Sequence, residues 1–430
     1  MINVALLGCG TVGGGVVKLL QQNRDIIQKR AGQEITIKKI LERDTEKVLA
    51  LGLPESVLAH DIEEILNDDE IKIVIELMGG IEPARSYVIA AMARGKNVVT
   101  ANKDMIADKD KDIFENAREA GVDLGFEASV GGGIPVIFPL KQSLAGNAIK
   151  EVIGIVNGTT NYILTKMSQE AQPYDDVLGE AQRLGYAESD PTSDVEGYDA
   201  ARKIAILASI AFNSRITFSD VYVEGITKIT PLDIKYGKDL GYVIKLLAIA
   251  KEENDKVQVR VHPSFIPRHH PLAAVSGVYN AVFIRGDAVG DIMLYGRGAG
   301  QMPTASAVVG DIMEIVRNIE RNSTGRISCT CYENKELMSI GSVMGKYYIR
   351  LMAKDQPGVL AGIAGVFGEH KVSIATVLQK TSGQDGAQLV FITHEVEEAN
   401  LQKALHILGE MPIVQSIQNV IRLEGVEDDE

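Results

Sequence analysis

The chain has 430 residues, 45% of them hydrophobic and 24% charged, which is the balance of a soluble globular protein with room for two or three domains. Its formal net charge of −14 excludes nonspecific nucleic-acid binding, which needs clustered Lys and Arg against phosphate. Three cysteines, Cys9, Cys329 and Cys331, are too few for a disulfide framework and point to a reducing compartment. Cys329-Thr330-Cys331 lacks the spacing and partners of a zinc site and reads as two thiols packed on one face of a strand. The chain enters a strand almost at once, without a signal peptide, and no apolar run approaches the ~20 residues of a membrane span. The expectation is a cytoplasmic protein with neither nucleic acid nor membrane as partner.

Ile2–Leu7 is a short apolar run suited to a strand buried on both faces. It leads into Gly8-Cys9-Gly10-Thr11-Val12-Gly13 and a helical segment to about Lys29. This is the G-x-G-x-x-G fingerprint in its strand–turn–helix context. Gly8 permits the tight turn, Gly10 lets the backbone approach a pyrophosphate, and Gly13 allows helix to pack on strand. The anion meets the helix N-terminus, where free N–H groups and the helix dipole favour negative charge. Further strands are expected at Ile35–Leu41, Ile71–Glu76, Asn97–Thr100 and Asp123–Phe126, with helices between them, giving a doubly wound parallel sheet. At the end of the second strand, Glu42 suits the ribose hydroxyls of NAD and Arg43 the 2′-phosphate of NADP. Both cofactors stay open, with the balance toward NADP. Thr100-Ala101-Asn102-Lys103 sits at the carboxyl end of a strand, where ligands bind in such sheets. Lys103 is a candidate contact there, or a solvated loop lysine.

Glu127-Ala128-Ser129-Val130-Gly131-Gly132-Gly133-Ile134-Pro135 is a glycine-rich exit from this region. Three consecutive glycines leave carbonyls accessible, so with Glu127 they form either a site for a hard monovalent cation or a plain hinge. Asn157-Gly158-Thr159-Thr160-Asn161-Tyr162 follows a strand-like run, Val152–Val156, and supplies helix caps or hydrogen-bonding groups for a polar ligand. The block from Gly185 through Tyr186, Ala187, Glu188, Ser189, Asp190 and Pro191 to Asp194, Gly197, Asp199 and Lys203 gathers carboxylates, turn residues and one lysine. Asp199 and Lys203 are four apart at the head of the apolar run Ile204–Phe212, so both project from the first turns of one helix. A lysine beside carboxylates is a proton-transfer candidate, and an ordinary surface ion pair is the other reading.

Beyond Gly341 the pattern changes. Tyr347–Ala353, Val359–His370, Ser373–Gln379, Gln388–Glu395, Glu397–Glu410 and Val414–Leu423 read in the order βαββαβ, with a hairpin turn at Ser382-Gly383-Gln384-Asp385-Gly386. That order is ferredoxin-like. The loop Asp355-Gln356-Pro357-Gly358-Val359-Leu360 resembles the ligand-binding loop of ACT domains, which take small amino acids, usually at interfaces between paired domains. The tail Glu424–Glu430 reads as a frayed acidic end.

Together, the glycine fingerprint, Thr100–Lys103, Glu127 with its glycines, Asn157–Tyr162 and the Gly185–Lys203 block resemble the homoserine dehydrogenase family over nearly the whole chain. The last block is the most specific, matching the family signature at Gly185, Glu188, Pro191, Asp194, Gly197, Asp199 and Lys203. The length fits the form without a fused kinase domain. The resemblance implies an α/β protein: a Rossmann-type parallel-sheet domain over residues 1–130 with a return segment at about 305–325, an α+β substrate and dimerisation domain over 131–304, and a ferredoxin-like ACT domain over 345–424. The helix at roughly Ala305–Ile319 would pack back on the first domain.

The implied reaction, a step of threonine, methionine and isoleucine biosynthesis, is reversible NAD(P)H-dependent reduction of L-aspartate 4-semialdehyde to L-homoserine. By the same resemblance Lys203 is the general acid/base, with Asp199 beside it. Glu188, Asp199, Asp194 and Lys103 bind the substrate. Gly8, Gly10, Thr11, Val12, Gly13, Arg43, Thr100, Lys103, Gly185, Glu188 and Gly300 lie at the cofactor. A structural sodium maps to Glu127, Val130, Gly132 and Ile134. L-threonine is the implied effector and a homodimer or homotetramer the implied assembly. A domain kept for dimerisation that has lost its ligand response is the alternative.

Three rival activities compete on residues, of which a different amino-acid dehydrogenase sharing the Rossmann half is disfavoured by the Gly185–Lys203 block. Aldehyde dehydrogenases that acylate a cysteine need one near the middle of the chain, and none is there. A noncatalytic amino-acid sensor fits the C-terminal region but leaves the glycine fingerprint and the Asp199/Lys203 pair without a purpose.

Overall fold

The computed structural model describes residues 1–327, 329–383 and 386–425. The chain divides into two compact units. The first comprises Met1–Val152, Arg202–Asp220 and Asn280–Asn334, and the second Ile153–Ala201, Val221–Tyr279 and Lys335–Glu430.

The first unit is built on a six-stranded parallel sheet. Its strands are β1 (Ile2–Leu7), β2 (Ile35–Leu41), β3 (Leu58–Ala59), β4 (Ile71–Glu76), β5 (Asn97–Thr100) and β6 (Leu124–Gly125). They lie in the order β3-β2-β1-β4-β5-β6, so the direction of winding reverses between β1 and β4. That is where open α/β sheets bind ligands, beyond the carboxyl ends of the strands. β1 runs parallel to β2 from Ile2↔Ile35 to Leu7↔Leu41 and to β4 as far as Leu7↔Glu76. Central parallel strands are covered on both faces, which is why Val4–Leu7 of β1 and Ile73–Ile75 of β4 are apolar and buried. One face is covered by helix Thr11–Gln22 and, from far along the chain, helix Gln301–Glu320. Ala305, Val308, Ile312 and Val316 join Val4, Leu6, Val16 and Val17 in one buried cluster. The two helices touch so closely that a Cβ on Gly15 would lie 2.7 Å from the Gln301 carbonyl oxygen.

The helix expected to run to Lys29 is two helices, Thr11–Gln22 and Arg24–Ala31, broken at Asn23. Cys329 and Cys331 are not in a strand. The Cys331 N–H donates to Cys329 Sγ at 3.4 Å, and the Cys331 thiol points to the Ser209 carbonyl at 3.8 Å.

The second unit contains a mixed sheet centred on the long antiparallel strands Tyr242–Glu253 and Lys256–Pro267, joined by a turn at Asn254 and Asp255, both with positive φ. Short strands Tyr222–Val223 and Glu336–Leu337 run parallel to Lys256–Pro267. The C-terminal part has the expected βαββαβ order. Strand Met344–Ala353 lies between Val414–Leu423 and Gly386–Thr393, and Ile374–Gly383 forms the far edge. Helices Val359–Glu369 and Glu398–Glu410 cover one face around Ile349, Leu351, Phe367, Phe391 and Leu405. Gln384 and Asp385 of the expected hairpin turn lie outside the described residues.

This part is stapled to the rest of its unit. Ser264↔Arg422 and Phe265↔Leu423 are parallel strand pairs. Arg350 pairs with Asp233 at 2.6 Å, and Arg260 with Glu424 at 2.6 Å. Glu424 is therefore no part of a frayed tail. It is 7% exposed, its N–H donates to the Phe265 carbonyl, and two cations hold its carboxyl well below the usual range, with Lys251 3.4 Å away on the other oxygen. Val426–Glu430 lie outside the described residues. Among the described residues no helix is long and apolar enough to cross a membrane.

Candidate active site

In the first unit, the chain leaves β1 through Gly8, whose φ of +93° puts it in the left-handed region. A Cβ there would lie 2.9 Å from the Leu77 carbonyl oxygen, so the turn accepts only glycine. Gly10 is exposed, with nothing within 4 Å of where its Cβ would be. It precedes helix Thr11–Gln22 without a side-chain cap, so the N–H groups of Thr11, Val12 and Gly13 face the open side. Gly13 approaches the loop it follows, 2.5 Å from a would-be Cβ to the Gly8 oxygen. An open glycine loop backed by uncapped helix N–H groups fits a dinucleotide pyrophosphate.

Gly300, with φ of +125°, precedes helix Gln301–Glu320. The Gln301 side chain donates to the Thr11 carbonyl at 3.1 Å, so the structure brings the Gly300 turn to the glycine loop. At the end of β2, Glu42 turns inward. Its carboxylate accepts from the N–H of Cys9 at 2.6 Å, of Arg43 at 2.8 Å and of Asp44 at 3.2 Å. Arg43 stays exposed. The buried Cys9 thiol is pushed up to about 11, by burial first and by Glu42 second.

Thr100 and Lys103 belong to a network that sequence reasoning missed. Glu76, the last residue of β4, is fully buried and accepts from the Thr100 hydroxyl at 2.6 Å and the Met78 N–H at 2.8 Å. Burial raises its pKa against these hydrogen bonds. Thr100 Oγ1 in turn accepts from the Asn102 N–H, and Asn102 caps helix Lys103–Ala120 through the Met105 N–H. Lys103 is therefore the first residue of a capped helix, not a loop lysine. The signal for Glu76 was present as one acid ending an apolar strand at the switch point. Next to Lys103, Asp104 forms an ion pair with Arg202 at 2.9 Å, which joins that helix start to helix Tyr198–Ala211.

Glu127 is 6% exposed and accepts from the N–H groups of Val136 at 2.5 Å, Ile137 at 2.8 Å and Phe138 at 2.7 Å. Among the described residues, no hydrogen bond ends on the carbonyls of Val130, Gly132 or Ile134. Buried carbonyls without donors fit a hard cation. No group of three or more His, Cys, Asp or Glu among the described residues could hold a metal, so a cation here would rest mainly on carbonyls.

In the second unit, Asn157 caps helix Gly158–Glu170, and its side chain reaches two acids. Nδ2 donates to Asp194 Oδ1 at 2.7 Å and to Asp199 Oδ2 at 2.9 Å. Asp199 is buried near the start of helix Tyr198–Ala211, and Lys203 comes four residues later in the same helix, in the stretch assigned to the first unit. Gly185 has a φ of +75°, and its neighbour Tyr186 accepts from the Thr159 hydroxyl at 2.7 Å. The Glu188 side chain is exposed and takes no part in the Asn157 cluster. The structure thus unites Asp194 with Asp199 through Asn157, a link that spacing did not reveal.

A family model described as homoserine dehydrogenase matches residues 135–313, one for the homoserine dehydrogenase NAD binding domain matches 8–127, and an ACT domain model matches 347–410. Homoserine dehydrogenase of Bacillus subtilis is 43% identical over 426 residues, spanning 99% of this chain and 98% of its own. The crystal structure of a homoserine dehydrogenase from Thiobacillus denitrificans is 42% identical, covers 98% of both chains and superposes with a TM-score of 0.93. A hyperthermophilic archaeal homoserine dehydrogenase solved in complex with NADPH is 28% identical over 73% of this chain and 97% of its own, with a TM-score of 0.63. With a nucleotide-binding sheet, an ACT domain and full-length relatives of one kind, the chain belongs to the homoserine dehydrogenase family of NAD(P)-dependent oxidoreductases.

Proposed function

We propose that the protein catalyses the reversible reduction of L-aspartate 4-semialdehyde to L-homoserine, with Lys203 as general acid/base. The observation that carries this reading is the Asp194–Asn157–Asp199 cluster standing one helical turn before Lys203. Asp194 and Asp199 receive the substrate's ammonium group, and Glu188 and Lys103 complete its binding. The bound nicotinamide cofactor supplies the hydride. As the aldehyde oxygen gains charge, the Lys203 ammonium stabilises it and delivers the proton, and in the reverse direction the neutral amine removes it. The open Gly8–Gly13 loop would hold the cofactor's pyrophosphate, and Thr100, Gly185 and Gly300 would contribute to its binding.

NADP is the preferred cofactor on this reading. The Glu42 oxygens already accept three backbone N–H groups, whereas Arg43 is exposed beside them and suits a 2′-phosphate. A sodium ion held by the carbonyls of Val130, Gly132 and Ile134 near Glu127 would organise that loop without entering the reaction. L-Threonine is the effector, received at the loop Asp355–Leu360. Gly358 there turns with φ of +88° into helix Val359–Glu369, whose uncapped start suits a carboxylate. The active form is a homodimer or homotetramer working in the cytoplasm.

The test is NADPH and NADH oxidation with L-aspartate 4-semialdehyde, comparing wild type with Lys203→Ala. Turnover that falls by about a thousandfold or more in the variant, with cofactor binding retained, is the expected result. A wild type that binds cofactor but turns over with neither nucleotide overturns the assignment.

A further inference from the structure

We infer that Asn157 is a positioning residue for this reaction: its amide sets the spacing of the two carboxylates, Asp194 and Asp199, that receive the substrate ammonium. The inference rests on the substrate role proposed above for those two acids. Asn157 is 6% exposed, and the two hydrogens of its Nδ2 go one to each carboxylate, at 2.7 and 2.9 Å. Its orientation is fixed. Oδ1 accepts from the Thr160 N–H at 2.9 Å and from the Thr160 hydroxyl at 2.9 Å, so only the NH2 end can face the acids.

Two N–H bonds on one planar nitrogen diverge by about 120°, which holds the two acceptor oxygens about 5 Å apart. An ammonium nitrogen roughly 2.8 Å from both oxygens spans nearly the same gap with its tetrahedral N–H bonds. The amide therefore presets the acids at the spacing one ammonium needs, and its two donors oppose the mutual repulsion of like charges. Asn157 also caps helix Gly158–Glu170. Ser or Asp would serve that purpose equally well. What neither offers is a cap acceptor combined with two donors aimed at the carboxylates.

The experiment is steady-state oxidation of L-homoserine with NADP+ by Asn157→Ser and Asn157→Asp, beside Asp199→Asn and Lys203→Ala. In Asn157→Ser the KM for L-homoserine is expected to rise about tenfold or more, with the KM for NADP+ within about twofold and the thermal midpoint nearly unchanged. Asn157→Asp places a third carboxylate between two others. Its KM is expected to rise further near pH 8 and to recover, relative to wild type, toward pH 6, as the cluster takes up a proton and regains a donor. Asn157→Ser should show no such recovery. A wild-type KM for L-homoserine in both variants, or failure of both to fold, reduces Asn157 to a structural residue and overturns the inference. Wild-type kinetics in Asp199→Asn and Lys203→Ala would instead locate the fault in the substrate-site reading, and the inference would fall with it.

Discussion

The two compact units bury carboxylates by different means. In the first, backbone N–H groups answer the charge: three for Glu127, three for the partly buried Glu42, and that of Met78, with the Thr100 hydroxyl, for Glu76. In the second, Asn157 holds Asp199 but arginines answer the other acids, with Arg350 on Asp233, Arg422 on Glu398 and Arg260 on Glu424. The consequences are opposite in sign. Burial outweighs the amides and raises the pKa of Glu76 and Glu127, whereas the paired arginines hold Asp233, Glu398 and Glu424 below their usual values. Amide-bound acids pin loops beside a binding site without bringing in a side-chain cation. Arginine-bound acids join segments far apart in the chain, and they join the C-terminal βαββαβ part to the rest of its unit.

The sharpest way to break this comparison is to remove an arginine. Arg350→Met leaves Asp233 buried without its cation and should cost about 3–5 kcal/mol in denaturant unfolding. The double variant Arg350→Met/Asp233→Leu should recover much of that loss, because neither charge then remains to be desolvated. A single variant no worse than an exposed-pair deletion would show that the staple carries little. Next in size is Glu127→Gln, which offers one acceptor oxygen to three N–H groups. It should cost about 1–3 kcal/mol by the same measurement.

The smallest effect concerns Asp311, which accepts the Glu127 N–H at 2.9 Å and is pushed up to about 8 by burial and the Glu127 charge. An acid with a raised folded pKa contributes stability that is fully present below its unfolded value and is lost as pH rises through the folded one. The first unit should therefore lose stability progressively between roughly pH 4 and pH 8, and Asp311→Asn should flatten that slope. Asp233, with its pKa lowered, contributes in the other sense, present above its unfolded value and lost on acidification through the folded one. An unaltered slope over that range in Asp311→Asn would remove Asp311 from the account.

The nucleotide-binding sheet was legible because its central strands carry short apolar runs, Val4–Leu7 in β1 and Ile73–Ile75 in β4, and the glycine turn has a fixed spacing. β1, β2, β4 and β5 begin and end where the pattern places them. The break at Asn23 was not read, since a lone Asn is only a weak boundary signal when polar helix formers flank it on both sides. The site was legible as a list of residues but not as a set of contacts. Asn157 looked like a cap or a ligand-binding group, and only the fold shows that its amide reaches residues 37 and 42 positions away. The arginine staples were invisible for the same reason, Arg350 and Asp233 being 117 residues apart. Glu424 was misread because an acidic tail and a buried acid look alike when the partner strand is unknown.

Helix Gln301–Glu320 carries a consequence for how the protein is made. Its apolar face, Ala305 to Val316, completes the core under β1 and helix Thr11–Gln22. A nascent chain that has emerged only as far as β6 exposes that core to water. The nucleotide-binding sheet is therefore expected to complete its core only after residue 320 has been made, and a fragment ending after β6 would carry an uncovered apolar face.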